Sequence, residues 1–215
     1  MATRPLTREE GKLITRRRLL EAAARVLRES GHGGLNVSAV AREAGVAQPT
    51  FYVHFDDKED LLRTLAYEKV EAIRRPLKEA RAQIVLGRGI EAVRETFRLP
   101  LATFLEQPEL FRLLVQEASQ PGSPFGEQAR KLQRELEADL VEDLIALGAP
   151  AKTSGQRARL EMMAEGMVSL TETLGLGYLE GRYKDLDAVI DVLTQFSIGA
   201  LSSLGLVTSS SSTPA

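Results

Sequence analysis

The sequence predicts an all-α protein. Apolar residues recur at helical spacing along almost the whole chain of 215 residues. Alternation of period two, rich in β-branched and aromatic residues, is missing. Glycine and proline fall mostly between the periodic stretches, where they interrupt helices.

The elements follow in order. Thr15 to Ser30 reads as a first helix, with Leu20, Ala23 and Leu27 on one face, Thr15 as its N-cap and Gly31 as its stop. Two very short helices follow, Val37–Ala44 and Gln48–Phe55, separated by Gly45-Val46-Ala47. Asp56 and Asp57 offer a cap for a long helix that starts near Lys58 and runs through Leu61, Leu65, Val70 and Ile73, to be kinked or ended at Pro76. Ile90–Glu106 reads as helical despite Pro100, and Glu109–Ser119 follows Pro108, a favoured residue of the first turn. A proline-glycine loop over Gln120–Phe125 precedes a long helix with Ala129, Leu132, Leu136, Leu140, Leu144 and Leu147 in register, ended by Gly148 and Pro150. The next helix places Leu160, Met163, Met167, Leu170 and Leu174 in one stripe. The last, from Leu186 to about Leu206, places Val189, Val192, Leu193, Phe196 and Ala200 in another. Ser209–Ala215 is Ser-rich and expected to be disordered.

Composition excludes several chemistries. Without cysteine there are no disulfides, zinc ribbons or thiol nucleophiles, and His32 and His54 are too few for most histidine-based metal sites. No metal or cofactor is expected. The start lacks the apolar core of a signal peptide, and the uncharged run 192–215 is interrupted by Thr, Gln, Ser and Gly. The expectation is a cytoplasmic protein with no membrane span. Net charge is −2, but it is unevenly spread: residues 1–54 hold nine Lys/Arg and five Glu, so they carry +4 and the remainder −6. A basic end on an acidic body suggests two jobs in one chain.

The informative stretch runs from Gly31 to Leu62. Two helices of about two turns each, joined by a short turn with a glycine, have the layout of a helix-turn-helix. Ala41 is small where the helices cross, Gly45 permits a left-handed turn, and Val40, Val46 and Phe51 knit the pair together. In such a unit the second helix lies in the major groove of DNA, with its N-terminal side chains at the base edges. Here these are Gln48, Pro49 and Thr50, with Tyr52 and His54 also facing outward.

Ala41, Gly45-Val46, Phe51-Tyr52-Val53-His54-Phe55 and Lys58-Glu59-Asp60-Leu61 together resemble the DNA-binding domain of the tetracycline-repressor (TetR) family, over about residues 12–65. Asn36-Val37 stands where the family usually has a Thr pair, and His32 where it has an aromatic residue; Asn36 can still cap the helix. The resemblance implies an N-terminal three-helix DNA-binding domain over 1–62 and a larger helical ligand-binding and dimerisation domain over 63–208. It further implies a homodimer formed through the last two long helices. Two helix-turn-helix units in a symmetric dimer read double-stranded DNA as an inverted repeat, with half-sites about 34–36 Å apart or a multiple of it.

Roles follow from chemistry. Gln48 can hydrogen-bond bidentately to adenine, and Pro49 and Thr50 can pack on a thymine methyl. By position-for-position resemblance Ser38, Tyr52, His54 and Lys58 bind phosphate. Asn36 stands at the start of the first short helix, and Arg16, Arg17 and Arg18 could contact the DNA backbone or minor groove. Taken singly, a histidine or tyrosine here is more often packing and an arginine triplet a solvated face; order and spacing together carry the reading.

After Leu62 no motif is comparably specific. A pocket for a small-molecule effector needs an apolar lining with few polar anchors. The candidates are Phe97, Leu101, Phe104, Phe111, Leu114, Val115, Phe125, Met163, Met167 and Tyr178, with Thr171 as a polar group. Phe111 to Glu117, followed by a Pro-Gly-Ser loop and a Leu-rich helix, is loosely similar to family members that sense fatty acyl thioesters. An enzyme would have to find its catalysts among carboxylates: Glu161 and Glu165 are one turn apart, yet no Glu-x-x-His pair accompanies them and no nucleophile with a base is visible. The remaining rival is a helical interaction protein that keeps the fold but binds DNA weakly.

Overall fold

A computed structural model of the chain describes residues 7–85, 89–120 and 122–206, and these form helices joined by turns, with no strand among them. The expected disordered tail, 209–215, lies outside the described residues. In order the helices are α1 (Arg8–Gly34), α2 (Val37–Glu43), α3 (Gln48–Phe51), α4 (Lys58–Val85), α5 (Gly89–Leu105), α6 (Pro108–Ala118), α7 (Pro124–Ala146), α8 (Ser154–Leu179) and α9 (Leu186–Ser203). They divide between two compact units, one of Met1–Lys69 with Gln107–Ala129 and one of Val70–Glu106 with Arg130–Ala215. The boundary expected after Leu62 falls inside α4, and α6 belongs with the first unit, where it packs on α1.

In the first unit α1 starts two turns earlier than the sequence suggests. Thr7, Arg8, Glu9 and Glu10 form a capping box: the Glu10 amide donates to Thr7 Oγ1 at 3.2 Å and the Thr7 amide to Glu10 Oε2 at 2.7 Å. Thr15, expected as the cap, lies inside the helix with its hydroxyl donating to the Gly11 carbonyl. Gly31 does break the helix, at φ 64°, but a further turn closes before Leu35. Asn36 caps α2 as expected, its Oδ1 accepting from the Ala39 amide at 2.9 Å. α3 is shorter than expected: beyond Phe51 the chain tightens into turns closed by the His54 and Phe55 amides on the Phe51 carbonyl. The run Tyr52-Val53-His54-Phe55 has weak helix propensity, and burying both Phe51 and Phe55 takes priority. Asp57 then caps α4 through the Asp60 amide.

In the second unit α4 continues through Pro76 rather than ending there. Ion pairs to α7 brace it on both sides of the proline. Arg74 makes a forked pair with Asp139 (2.7 and 2.8 Å) and also meets Glu71, and Arg81 meets Asp143 at 2.8 Å with both side chains almost fully buried. The core gathers Val93, Phe97 and Leu101 of α5, Leu140, Val141 and Leu144 of α7, Leu160 and Ala164 of α8, and Val189, Ile190, Leu193 and Leu201 of α9. The stripe expected on α9 is displaced. Its buried face is Val189, Ile190, Leu193, Ser197 and Leu201, while Val192 and Phe196 stay exposed at 41% and 64%. The helix is apolar on two sides, so its periodicity alone did not say which side faces the core. Among the described residues no helix is long and apolar enough to cross a membrane.

Candidate nucleic-acid interface

The short helices α2 and α3 are held in place from α1. Gly45 adopts φ 65°, which closes the turn through the Val46 amide on the Ala41 carbonyl at 3.0 Å. Arg18 Nη2 donates to the Ala44 carbonyl at 2.6 Å, and a methyl group at Gly45 would stand 3.2 Å from the same guanidinium. Arg18 is therefore committed to fastening the turn. Arg16, expected to face DNA, is committed as well: its guanidinium donates to the His54 carbonyl and to Thr64 Oγ1 and lies over the Phe55 ring. Arg17 is the member of the triplet left extended into solvent, where among the described residues it makes an exposed i,i+4 pair with Glu21.

On the outer side of this scaffold Gln48 and Pro49 are exposed and Thr50 is half-buried. Tyr52 is 54% exposed and rests edge-on against the ring of Phe51, which is fully buried, so the phenol is carried outward on a rigid base. Ser38 on α2 donates its hydroxyl to Gln48 Oε1 on α3 at 3.1 Å, which joins the two helices at their exposed edge. Asn36 is committed to capping α2 and its amide nitrogen also donates to the Gly34 carbonyl. Lys58 opens α4, with Glu59 3.8 Å away, too far for a strong pair.

His54 is half-buried, and burial, followed by the charges of Lys12 and Arg16, lowers its pKa below the ordinary 6.5. It is a neutral imidazole near pH 7, able to exchange a hydrogen bond with a phosphate but not to supply charge. Its Nδ1 is buried and has no hydrogen-bond partner among the described residues.

The residues expected to line an effector pocket are divided between the two units. Phe111, Leu114, Val115 and Phe125 belong to the first unit, whereas Phe97, Leu101, Phe104, Met163, Met167, Thr171 and Tyr178 belong to the second. Within the second unit an apolar cavity of about 250 Å³ is lined by Phe97, Met163, Gly166, Met167, Leu170, Leu193, Phe196, Ser197 and Ala200. It takes in three of the expected residues. Leu101 is instead sealed in the core and Tyr178 packs against that core's edge. The Thr171 hydroxyl is used within α8, donating to the Met167 carbonyl at 2.7 Å.

The next residue is the ionisable group that sequence reasoning passed over. Glu172 accepts from Gln133 Nε2 at 3.3 Å, and burial, reinforced by the charge of Glu137, pushes its carboxyl up to about 7. Glu137 is itself raised by burial and by Glu165, against a lowering effect of Arg134. Isolated carboxylates on two helices far apart in sequence carry no motif, so only packing reveals this cluster.

Comparison with known proteins agrees with the fold. Residues 19–65 match the family described as "Bacterial regulatory proteins, tetR family". A putative TetR-family transcriptional regulator from Syntrophomonas wolfei is 16% identical, with a TM-score of 0.70 over 92% of this chain and 98% of its own. The fatty acid degradation regulator FadR from Bacillus halodurans is 22% identical, with a TM-score of 0.65 over 87% of this chain and 96% of its own. The FadR of Thermus thermophilus, a TetR-family transcriptional repressor solved in complex with lauroyl-CoA, is 20% identical, with a TM-score of 0.62 over 93% of this chain and 100% of its own. The family match falls on α1 to α4, the stretch that builds the helix-turn-helix, and the shared fold extends along nearly the whole chain. Residues 19–65 are thus similar to the tetR family of bacterial regulatory proteins, and the chain as a whole shares the fold of these structures.

Proposed function

We propose that the protein is a homodimeric transcriptional repressor that grips an inverted-repeat DNA operator and lets go when a small lipophilic effector binds its second unit. The observation that carries this is the surface at α3. Gln48 and Pro49 on α3 and Tyr52 at its C-cap are exposed on a segment whose turn is fastened by Arg18, and Arg17 of α1 is exposed as well. This is the chemistry of a major-groove reader with flanking phosphate contacts.

The dimer is supported by the outer face of α8 and α9. Met162 and Phe196 are 65% and 64% exposed, and methyl groups added at Gly166 and Gly199 would meet nothing within 4 Å. An apolar face of this kind on two adjacent helices fits a second copy packing as a four-helix bundle. A fatty acyl effector is supported by the apolar lining around Phe97, Met163 and Met167, and by two structural neighbours named as FadR, one holding lauroyl-CoA.

The experiment is fluorescence anisotropy of the purified protein on DNA flanking its own gene, across a salt series. A repressor loses affinity steeply with salt. The double variant Tyr52→Ala, Lys58→Ala should lose at least about tenfold in affinity, as expected for removing two phosphate contacts. Salt-insensitive association, or binding unchanged by the double variant, would sink the assignment. Lauroyl-CoA added to the complex should release DNA; no release and no bound lipid by native mass spectrometry would remove the acyl effector.

A further inference from the structure

The apolar cavity of the second unit runs from the core to the surface. Phe97 of α5 and Leu193 of α9, both buried, form its floor, while Gly166 of α8 and Phe196 of α9, which also line it, are exposed. Its mouth therefore lies on the α8–α9 face, one helical turn from the exposed Met162. Of the lining residues Ser197 alone has a polar side chain, and its hydroxyl is spent within α9, donating to the Leu193 carbonyl at 2.9 Å. With no side chain inside to hold a charged or hydrogen-bonding group, the cavity suits a plain hydrocarbon chain. In one protomer the part of such a chain at the mouth would face water, beside residues that are themselves exposed. From Val192 to Ser203 α9 carries no charged residue, so the surface beside the mouth has nothing to prefer a charged partner. A two-fold contact would lay this same uncharged, apolar face against itself.

We infer that the cavity is half of an effector site: its missing wall is the α8–α9 face of a second copy, and an apolar chain in it is sealed at the seam between two protomers. This rests on the dimer and the acyl effector proposed above and gives their coupling a sign. Because the chain is better covered in the dimer than in the monomer, effector binding tightens the dimer by the same factor by which dimerisation tightens effector binding. DNA is then released by reshaping an intact dimer, not by splitting it into monomers.

The test uses lauroyl-CoA as the probe and sedimentation velocity over a dilution series, with and without the probe, alongside probe titrations of wild type, Met162→Glu and Ala200→Leu. Met162 is exposed and outside the lining, so Met162→Glu puts a charge on the proposed seam without entering the cavity. Ala200→Leu narrows the cavity itself. The probe should lower the dimer dissociation constant of the wild type at least about tenfold, within the usual range of coupling between two sites. Met162→Glu should be monomeric and bind the probe weaker by the same factor, and Ala200→Leu should weaken probe binding at least about tenfold. A monomeric Met162→Glu that binds as tightly as the wild-type dimer overturns the inference, because the site is then complete within one protomer. A Met162→Glu that stays dimeric, a dimer unmoved or loosened by the probe, or binding untouched by Ala200→Leu overturns it as well. A wild type that is monomeric with and without the probe fails the dimer reading, and a dimer that binds no lauroyl-CoA fails the acyl-effector reading. A dimer that binds the probe without the coupling fails only this inference.

Discussion

Arg16 holds the end of the recognition segment: its guanidinium donates to the His54 carbonyl at 3.0 Å and lies 4.3 Å from the centre of the Phe55 ring. The residue stands 38 positions before His54 and ties α1 to the point where the chain turns from α3 into α4.

Replacing Arg16 by alanine removes a charge-assisted hydrogen bond and a cation–π contact together. The expected cost is about 1–2 kcal/mol. Arg16→Lys should recover less than half of it, since lysine lacks the fork that reaches His54 and Thr64 at once. Thermal melts compare the three proteins, and a melting temperature unchanged in Arg16→Ala would show the clamp to be idle.

His54 makes stability depend on pH. Its pKa in the fold lies below the ordinary 6.5 because burial, Lys12 and Arg16 disfavour the imidazolium. The unfolded chain therefore takes up a proton at a pH where the folded one does not. The stability that the neutral ring contributes is present above pH 6.5 and declines as pH falls through 6.5 toward the lowered value. In denaturant titrations between pH 8 and 5 the wild type should lose stability relative to His54→Gln as pH falls, the contribution of Glu172 being common to both proteins.

Glu172 has the opposite sign. Its carboxyl is raised from the ordinary 4.5 to about 7 by burial and by Glu137, so the fold favours the protonated acid. Its favourable contribution is complete below pH 4.5 and is lost as pH rises through 7. Glu172→Gln, which keeps an acceptor for Gln133, should therefore stabilise the protein at pH 8 by about 2 kcal/mol, somewhat less than the full shift because the side chain is partly solvated. Near pH 4.5 the variant and the wild type should melt alike. Equal stabilities at pH 8 would show that the carboxylate is solvated after all.

Phe196 separates assembly from folding. Being exposed on the protomer, it can be changed to glutamate at little cost to the fold, within about 0.5 kcal/mol. At a dimer interface the same change buries a charge against apolar side chains. Light scattering after gel filtration should find Phe196→Glu monomeric, with operator affinity reduced at least about tenfold as the second half-site contact is lost. A variant that stays dimeric would move the interface off this face.

How much of this was legible in the sequence depended on whether the signal was local. Asn36 capping α2, Gly45 in the turn, Pro108 opening α6 and the buried Phe51 are decided within a few residues and could be read directly. The start of α1 was equally local, but the capping box at Thr7 and Glu10 was overlooked because the apolar face begins later, at Leu19. Long-range commitments could not be read. Arg16 and Arg18 present the same charges whether they face DNA or fasten a neighbouring helix, and only the carbonyls of His54 and Ala44 decide between these. In the same way Glu172 is one more carboxylate on a long helix until Gln133 and Glu137 are placed beside it. On α9, with both sides apolar, composition could not say that Leu193 is core and Phe196 is not.

The fastening of the α2–α3 turn by Arg18 limits how far the proposed DNA-reading surface can be cut down. Helices of seven and four residues are well below the roughly 12–15 that an isolated helix needs in water, so neither holds its shape alone. The helix-turn-helix borrows its rigidity from α1, and α1 in turn is covered by α6, which the chain reaches only after passing through α5. The smallest autonomous reader is thus discontinuous along the chain. A fragment ending at Leu62 would retain every residue of the recognition surface and still leave bare the flank of α1 that α6 covers.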